Sequence, residues 1–338
     1  MTATVLHRSI AVAAAALIGI LPMQSPNYHV TARHLLGGDG GWDYLSLDTQ
    51  HNQLYIARGS YVMVVNPADG KVLAHIPGFD RAHGVAFAYD VGRGYATSGG
   101  DSTIRVIDLA SHQVVAKVKS QVDDDGIVYD PSSHLVFSMN GDAHSMTIVD
   151  PVHNTNVANV PLTGKPEFGI ADGAGHVYVN IADKGEMDEV DIASRKVTRH
   201  WSLAPCTEPT GLAIDTGHHR LFSGCRSGVM AISDAQAGKL VMTVPIGQGV
   251  DATRFDPATQ LAFASCGDGT IAVIHEDAPD TYRVVQTVHT MNGARTMELD
   301  PRSHALYTAS AKFGAVPPGR RGRPPMLANS FTLLTLHR

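Results

Sequence analysis

Val250 to Asp277 reads VDATRFDPATQLAFASCGDGTIAVIHED, and it divides into three short strands joined by two turns. Ala252 to Phe255 is a brief apolar run, after which Asp256-Pro257 begins a turn. Proline presets φ there, and the aspartate side chain can accept a hydrogen bond from the backbone two residues on. Leu261 to Ser265 is a second run, and Gly267-Asp268-Gly269 supplies residues that tolerate positive φ for a hairpin. Thr270 to His275, rich in β-branched residues, returns as the partner strand.

The aspartate turn recurs at Asp48, Asp90, Asp130, Asp172, Asp215, Asp256 and Asp300, spaced by 42, 40, 42, 43, 41 and 44 residues. Repeats of this length broken every few residues by Gly, Pro, Asp or Asn do not suit the paired helices of a HEAT or armadillo array. They predict an all-β chain, a seven-bladed β-propeller with four-stranded antiparallel blades. After Asp300 only two further strands fit, Ala305 to Ser310 and Phe331 to Leu336, whereas Tyr28 to Leu36 precedes the first anchor without a blade of its own. The N-terminal strand is therefore expected to complete the last blade and close the ring, removing two open sheet edges.

Residues 1–25 contain Arg8 followed by an apolar segment from Ile10 to Leu21. That is too short to span a bilayer and suits a secretory signal, with residues 26–338 as one propeller domain and no integral membrane segment after cleavage. A periplasmic or secreted location follows as the expectation. The formal net charge is −6 with only 17% charged residues, which argues against a nucleic-acid surface built from clustered Lys and Arg. Neutral or cationic partners and a monomeric state are expected instead.

Five stretches carry a resemblance that covers nearly the whole chain: GGWDYLSLD (40–48), GKPEFGIADG (164–173), CTEPTGLAID (206–215), GDGTIAVIHED (267–277) and GARTMELD (293–300). In these the chain resembles the YncE-like, YVTN-repeat β-propeller proteins of bacteria. The resemblance implies an exported seven-bladed propeller and little about chemistry. WD40 propellers fit less well, since the WD dipeptide is missing as a blade-end signal.

In a propeller the loops entering the innermost strands surround one mouth, where ligands are commonly held. Five residues before each anchor stand Asp43, Val85, Asp125, Glu167, Thr210, Asp251 and Arg295; His83 and Glu208 lie two residues from their nearest members, and Trp42 adjoins Asp43. Asp43, Trp42, Asp125, Glu167, Glu208, Thr210 and Asp251 are the candidate ligand-binding residues. Crowded carboxylates suit a hard cation such as Ca²⁺ or Mg²⁺, for which Asp125, Glu167 and Asp251 are the candidate ligands. They also raise one another's pKa values and can leave one poised as a base. The plainer alternative is a set of solvated turn formers neutralised by Arg295.

His51, His134, His176, His218, His219 and His304 follow the anchors and are expected as exposed turn residues on the opposite face. The run Asp123-Asp124-Asp125 reads as a solvated loop in which only Asp125 takes a mouth position. Cys206 and Cys225 are placed to form a structural disulfide within one blade, leaving Cys266 free; a Cys225–Cys266 link is the alternative. Between Ala311 and Asn329 the last blade carries an insertion with Arg320, Arg321 and Arg323, expected on the mouth face as a lid or docking loop.

No HExxH, CxxC, Walker glycine loop or GxSxG motif occurs. The leading expectation is an exported binding or scaffold protein that holds a small molecule or a protein partner at the channel mouth. The alternative is a lactonase- or lyase-like enzyme with a divalent ion at the same mouth, His83 as general acid or base, and Arg295 as anion clamp.

Overall fold

The computed structural model describes residues 26–316 and 324–338. The chain is all-β, with one short 3₁₀ turn at Tyr89–Val91. It forms five four-stranded antiparallel sheets and one seven-stranded sheet. Among the described residues no helix is long and apolar enough to cross a membrane. The expected signal segment and the arginine run 320–323 lie outside the described residues.

Four of the five four-stranded sheets follow one plan, seen in Pro209–Asp215, Arg220–Cys225, Val229–Asp234 and Lys239–Pro245, which pair in sequence order. The second and third strands are buried almost throughout, whereas the fourth alternates between exposed and half-buried residues, as in Lys196–Ser202. That gradient follows from position. A strand covered on both faces reads as a continuous apolar run, and a peripheral strand shows the two-residue alternation.

The seven-stranded sheet departs from the regular plan. Val72–Ala88 is a single strand of 17 residues. Its first part pairs with Gly59–Val65, and Ala82 to Ala88 pair with Arg93–Ser98. Positive φ at Gly78 (93°) and Arg81 (57°) marks the bend between the halves, where the register against Gly59–Val65 jumps from Pro77 to Ala82, so two four-stranded arrays share one strand.

The opening strands of successive arrays lie side by side, and Met297–Asp300 in turn touches Leu45–Asp48. Their approach excludes side chains at some positions: a Cβ on Gly211 would stand 2.5 Å from the backbone nitrogen of Thr253. Core clusters straddle adjacent sheets; Leu261, Phe263, Ile271 and Val273 of one pack with Met297, Leu306 and Leu334 of the next.

The N-terminal strand His29–Leu35 pairs antiparallel with Thr332–His337, giving a sheet whose other members are Ala305–Ser310 and Met297–Asp300. Tyr28 locks this strand in place. It is 1% exposed, its hydroxyl donates to the His304 carbonyl at 2.9 Å, and its ring meets Phe263 edge-on at 5.2 Å.

Tyr28→Ala removes that anchor and is expected to cost about 3–5 kcal/mol and lower Tm by roughly 10 °C. Thermal denaturation measures this, and a shift under about 2 °C would show that the N-terminal strand is not what holds the sheet.

Candidate functional site

The residues before the opening strands gather on one face in a chain of ion pairs. His83 Nδ1 lies 2.6 Å from Asp43 Oδ2 and 3.4 Å from Asp125 Oδ1. Asp43 Oδ1 is 3.8 Å from Arg295, whose Nε donates to Asp251 Oδ2 at 2.6 Å. Arg226 continues the series, 3.7 Å from Asp251, 3.6 Å from Glu167 and 3.9 Å from Glu208. Four carboxylates thus share two guanidinium groups and one imidazole, with the more exposed Glu208 at the rim.

Burial and like charge together raise the acids. Burial, reinforced by Asp251, pushes Glu167 up to about 7, and Asp125 is held well above the usual carboxylate range. Asp251 is also raised by burial, although Arg295 opposes the shift. Burial works against charging His83, but its hydrogen bond to Asp43 and the charges of Asp125 and Asp43 prevail and bring the imidazole to about 9. The phenol of Tyr44, buried beneath the cluster, is raised by burial and by the surrounding carboxylates.

Some expected members take other roles. Thr210 is 1% exposed and its hydroxyl donates to the Val250 carbonyl at 2.9 Å, so it ties neighbouring opening strands together and is not presented to the mouth. The expected ion ligands Asp125, Glu167 and Asp251 do not form the tight group. The mouth residues whose ligand atoms lie within 4.8 Å of one another are Asp43, His83 and Asp125, while Glu167 and Asp251 face arginines. The run 123–125 is not a solvated loop either. Asp123 pairs with Arg81 at 2.6 Å, and Asp124 is wholly buried, its carboxyl pushed up to about 7 by that burial.

The expected Cys206–Cys225 disulfide is present and Cys266 is free and buried. The bridge shapes the mouth, since it fixes the loop that carries Glu208 to the strand end immediately before Arg226. Arg226 comes from a loop between the second and third strands, outside the pattern that counts back from the anchors. Its adjacency to a paired cysteine was the available signal.

Beside the charged cluster lies a cleft of about 880 Å³ lined by Trp42, Arg295, Phe313, Pro324 and Met326, with the glycines Gly40, Gly41 and Gly293. The insertion supplies its outer wall. Phe313 and Met326 form an antiparallel bridge, and Gly314 N donates to the Pro325 carbonyl at 2.8 Å. Arg295 spans both regions: it binds Asp251, donates to the Trp42 carbonyl at 3.0 Å, and lies 5.6 Å from the Trp42 ring centroid. A separate cavity of about 230 Å³ lies among the opening strands, where Arg254 and Glu298 pair at 2.8 Å.

The histidines at the opposite turns are engaged by aspartates. His51, His176 and His218 bond their own anchors at 2.7, 2.9 and 2.7 Å, and His134 and His304 reach Asp90 and Asp256 of the preceding array at 2.8 and 2.7 Å. They are turn and inter-sheet ties, a role their exposure does not reveal.

Fold and site together define an all-β, propeller-like protein with a charged cluster and an adjoining apolar cleft on one face. Among solved structures it is similar to the Kuenenia stuttgartiensis hydrazine synthase, at TM-score 0.70 and 14% identity over 83% of this chain and 95% of that one. It is likewise similar to U3-55K, at TM-score 0.74 and 11% identity over 90% of this chain and 99% of that one. Both are propeller-like, and at these identities the likeness is one of fold. No family model and no curated protein sequence matches the chain.

Because the folded pKa of His83 is raised from 6.5 to about 9, its contribution is complete below pH about 6.5 and lost as pH rises through 9. The loss amounts to roughly 3 kcal/mol, and His83→Gln should flatten the stability curve over that window, as denaturant melts at stepped pH can read. An unchanged slope would assign the dependence to another group. Replacing both Cys206 and Cys225 by Ser is expected to cost about 3 kcal/mol for a loop of this length, measured in the same melts.

Proposed function

We propose that this chain is an exported, seven-bladed propeller of the YVTN-repeat type that holds a small organic molecule at the mouth of its ring. Support for seven blades comes from the seven anchors, the two arrays joined by Val72–Ala88, and the contact of Met297–Asp300 with Leu45–Asp48. Support for ring closure comes from the pairing of His29–Leu35 with Thr332–His337. Export is consistent with the disulfide and with the apolar run Ile10 to Leu21.

The observation that carries the binding reading is that Arg295 belongs to both the charged cluster and the apolar cleft, where it is held against Trp42. Such a site offers an apolar surface for the body of a ligand and a few fixed polar groups for its head. The carboxylates of Asp251 and Asp43 on either side of Arg295 favour a neutral or cationic head placed against them.

A second reading, a hydrolase or lyase using a divalent ion, is favoured by the closeness of Asp43, His83 and Asp125. Those residues would hold the ion, which would polarise an ester or lactone carbonyl.

A screen of neutral and cationic aromatic compounds by thermal shift and calorimetry separates the two. Binding weakened about tenfold or more by Trp42→Ala, and for cations by Asp251→Asn, is the expected result. Hits indifferent to Trp42→Ala would refute the cleft as the site. Turnover of lactones or esters that requires Ca²⁺ or Mg²⁺ and disappears in His83→Ala would favour the enzyme.

A further inference from the structure

The opposite face contains a second constellation, built by a hairpin longer than its counterparts. The third and fourth strands of the Asp256 array, Thr270–Ala278 and Thr281–His289, have nine residues each, against six and seven in Val229–Asp234 and Lys239–Pro245. The extension carries Glu276 across to the turn after Asp215 in the neighbouring sheet. His218 Nδ1 there lies 2.7 Å from Asp215 Oδ2 and 3.1 Å from Glu276 Oε1. At Asp48 and Asp172 the aspartate meets a histidine alone; among the described residues of the turn face, only here does a third ligand-type group join within 4.8 Å.

Glu276 is 2% exposed, and its Oε2 is buried with no hydrogen-bond partner. Its other oxygen is within 3.1 Å of the Tyr282 hydroxyl, which orients the carboxylate. Arg220 adjoins the turn but is engaged elsewhere, by Asp280 at 2.8 Å, Asp234 at 3.3 Å and the Pro279 and His218 carbonyls at 2.8 Å. Two buried carboxylates brought together with one uncommitted oxygen call for a cation beyond the imidazole.

We propose that Asp215, His218 and Glu276 form a binding site for a divalent transition-metal ion, Zn²⁺ or Mn²⁺, that staples the extended hairpin to the adjacent sheet. One imidazole with two carboxylates suits these ions better than it suits Ca²⁺, which prefers an all-oxygen set of about six to eight ligands. Ligands about 2.0–2.2 Å from a tetrahedral ion stand roughly 3.3–3.6 Å apart. The two His218 Nδ1 distances, 2.7 and 3.1 Å, are shorter than this, and rotation of His218, whose side chain is 41% exposed, would lengthen both and leave the solvent side open for water.

The test uses full-length protein stripped with a chelator, titrated with Zn²⁺ and Mn²⁺ by calorimetry and by metal analysis after dialysis, with Tm followed in parallel. One equivalent bound with a rise in Tm is expected. Glu276→Gln and His218→Ala should each weaken binding about tenfold or more, while one equivalent persists in His83→Ala, which alters the mouth. His218→Ala, at an exposed side chain, decides the matter if Glu276→Gln does not fold. No uptake and no change in Tm at a hundredfold excess of either ion overturns the proposal. So does binding that survives both variants, or that is lost only in His83→Ala.

Discussion

The aspartate at the head of each repeat's first turn, buried at Asp48, Asp130, Asp215, Asp256 and Asp300 and half-buried at Asp172, is the constraint on which the other contacts rest. Asp48, Asp130, Asp172, Asp215, Asp256 and Asp300 each accept a hydrogen bond from a backbone nitrogen two residues on. A carboxylate shielded from water must find such donors, and by finding them in the turn it fixes where one strand ends and the next begins. The second oxygen is then available to a histidine, from the same turn or from the next array. Asp90 is the variant: it sits in a 3₁₀ turn and accepts from Tyr129 at 2.7 Å and from His134. Local turn closure and contact between arrays are thereby carried by one side chain.

At the other face the balance is electrostatic. No acid of the mouth has a partner to itself: Asp43 is shared by His83 and Arg295, and Asp251 by Arg295 and Arg226. Charges linked in this way titrate as a set, so a ligand that displaces one guanidinium alters the proton affinity of all its neighbours. The disulfide matters for the same reason, because it holds Arg226 among the three carboxylates of Glu167, Glu208 and Asp251.

Much of the fold was legible because turn chemistry is local. Asp-Pro, Asp-Gly and Gly-rich signals lie within a few residues of the structure they cause, and the distance from anchor to mouth is set by strand length. The same count placed Thr210 at the mouth, although its hydroxyl turns inward to a neighbouring strand. Arg226, the burial of Asp124 and the continuous strand through Pro77-Gly78 depend on which loop meets which sheet, and that is not written in spacing. Glu276 sits in a stretch that sequence reading already marks as distinctive, IHED, but its meeting with His218 depends on an extension of three residues in a hairpin from a different repeat.

The pairing of His29 with His337 joins residues from opposite ends of the chain. Closing a loop of that size costs roughly 5 kcal/mol beyond a length-independent constant, incurred before the contacts it permits can form. The interior arrays are each built from consecutive strands and can assemble locally. The sheet that contains His29–Leu35 must wait for Thr332–His337, so until the two meet the chain has an unpaired strand on one side and a partial sheet on the other. Such edges bind chaperones and invite pairing between chains, and the interval before they meet is when this protein is most exposed to misassembly.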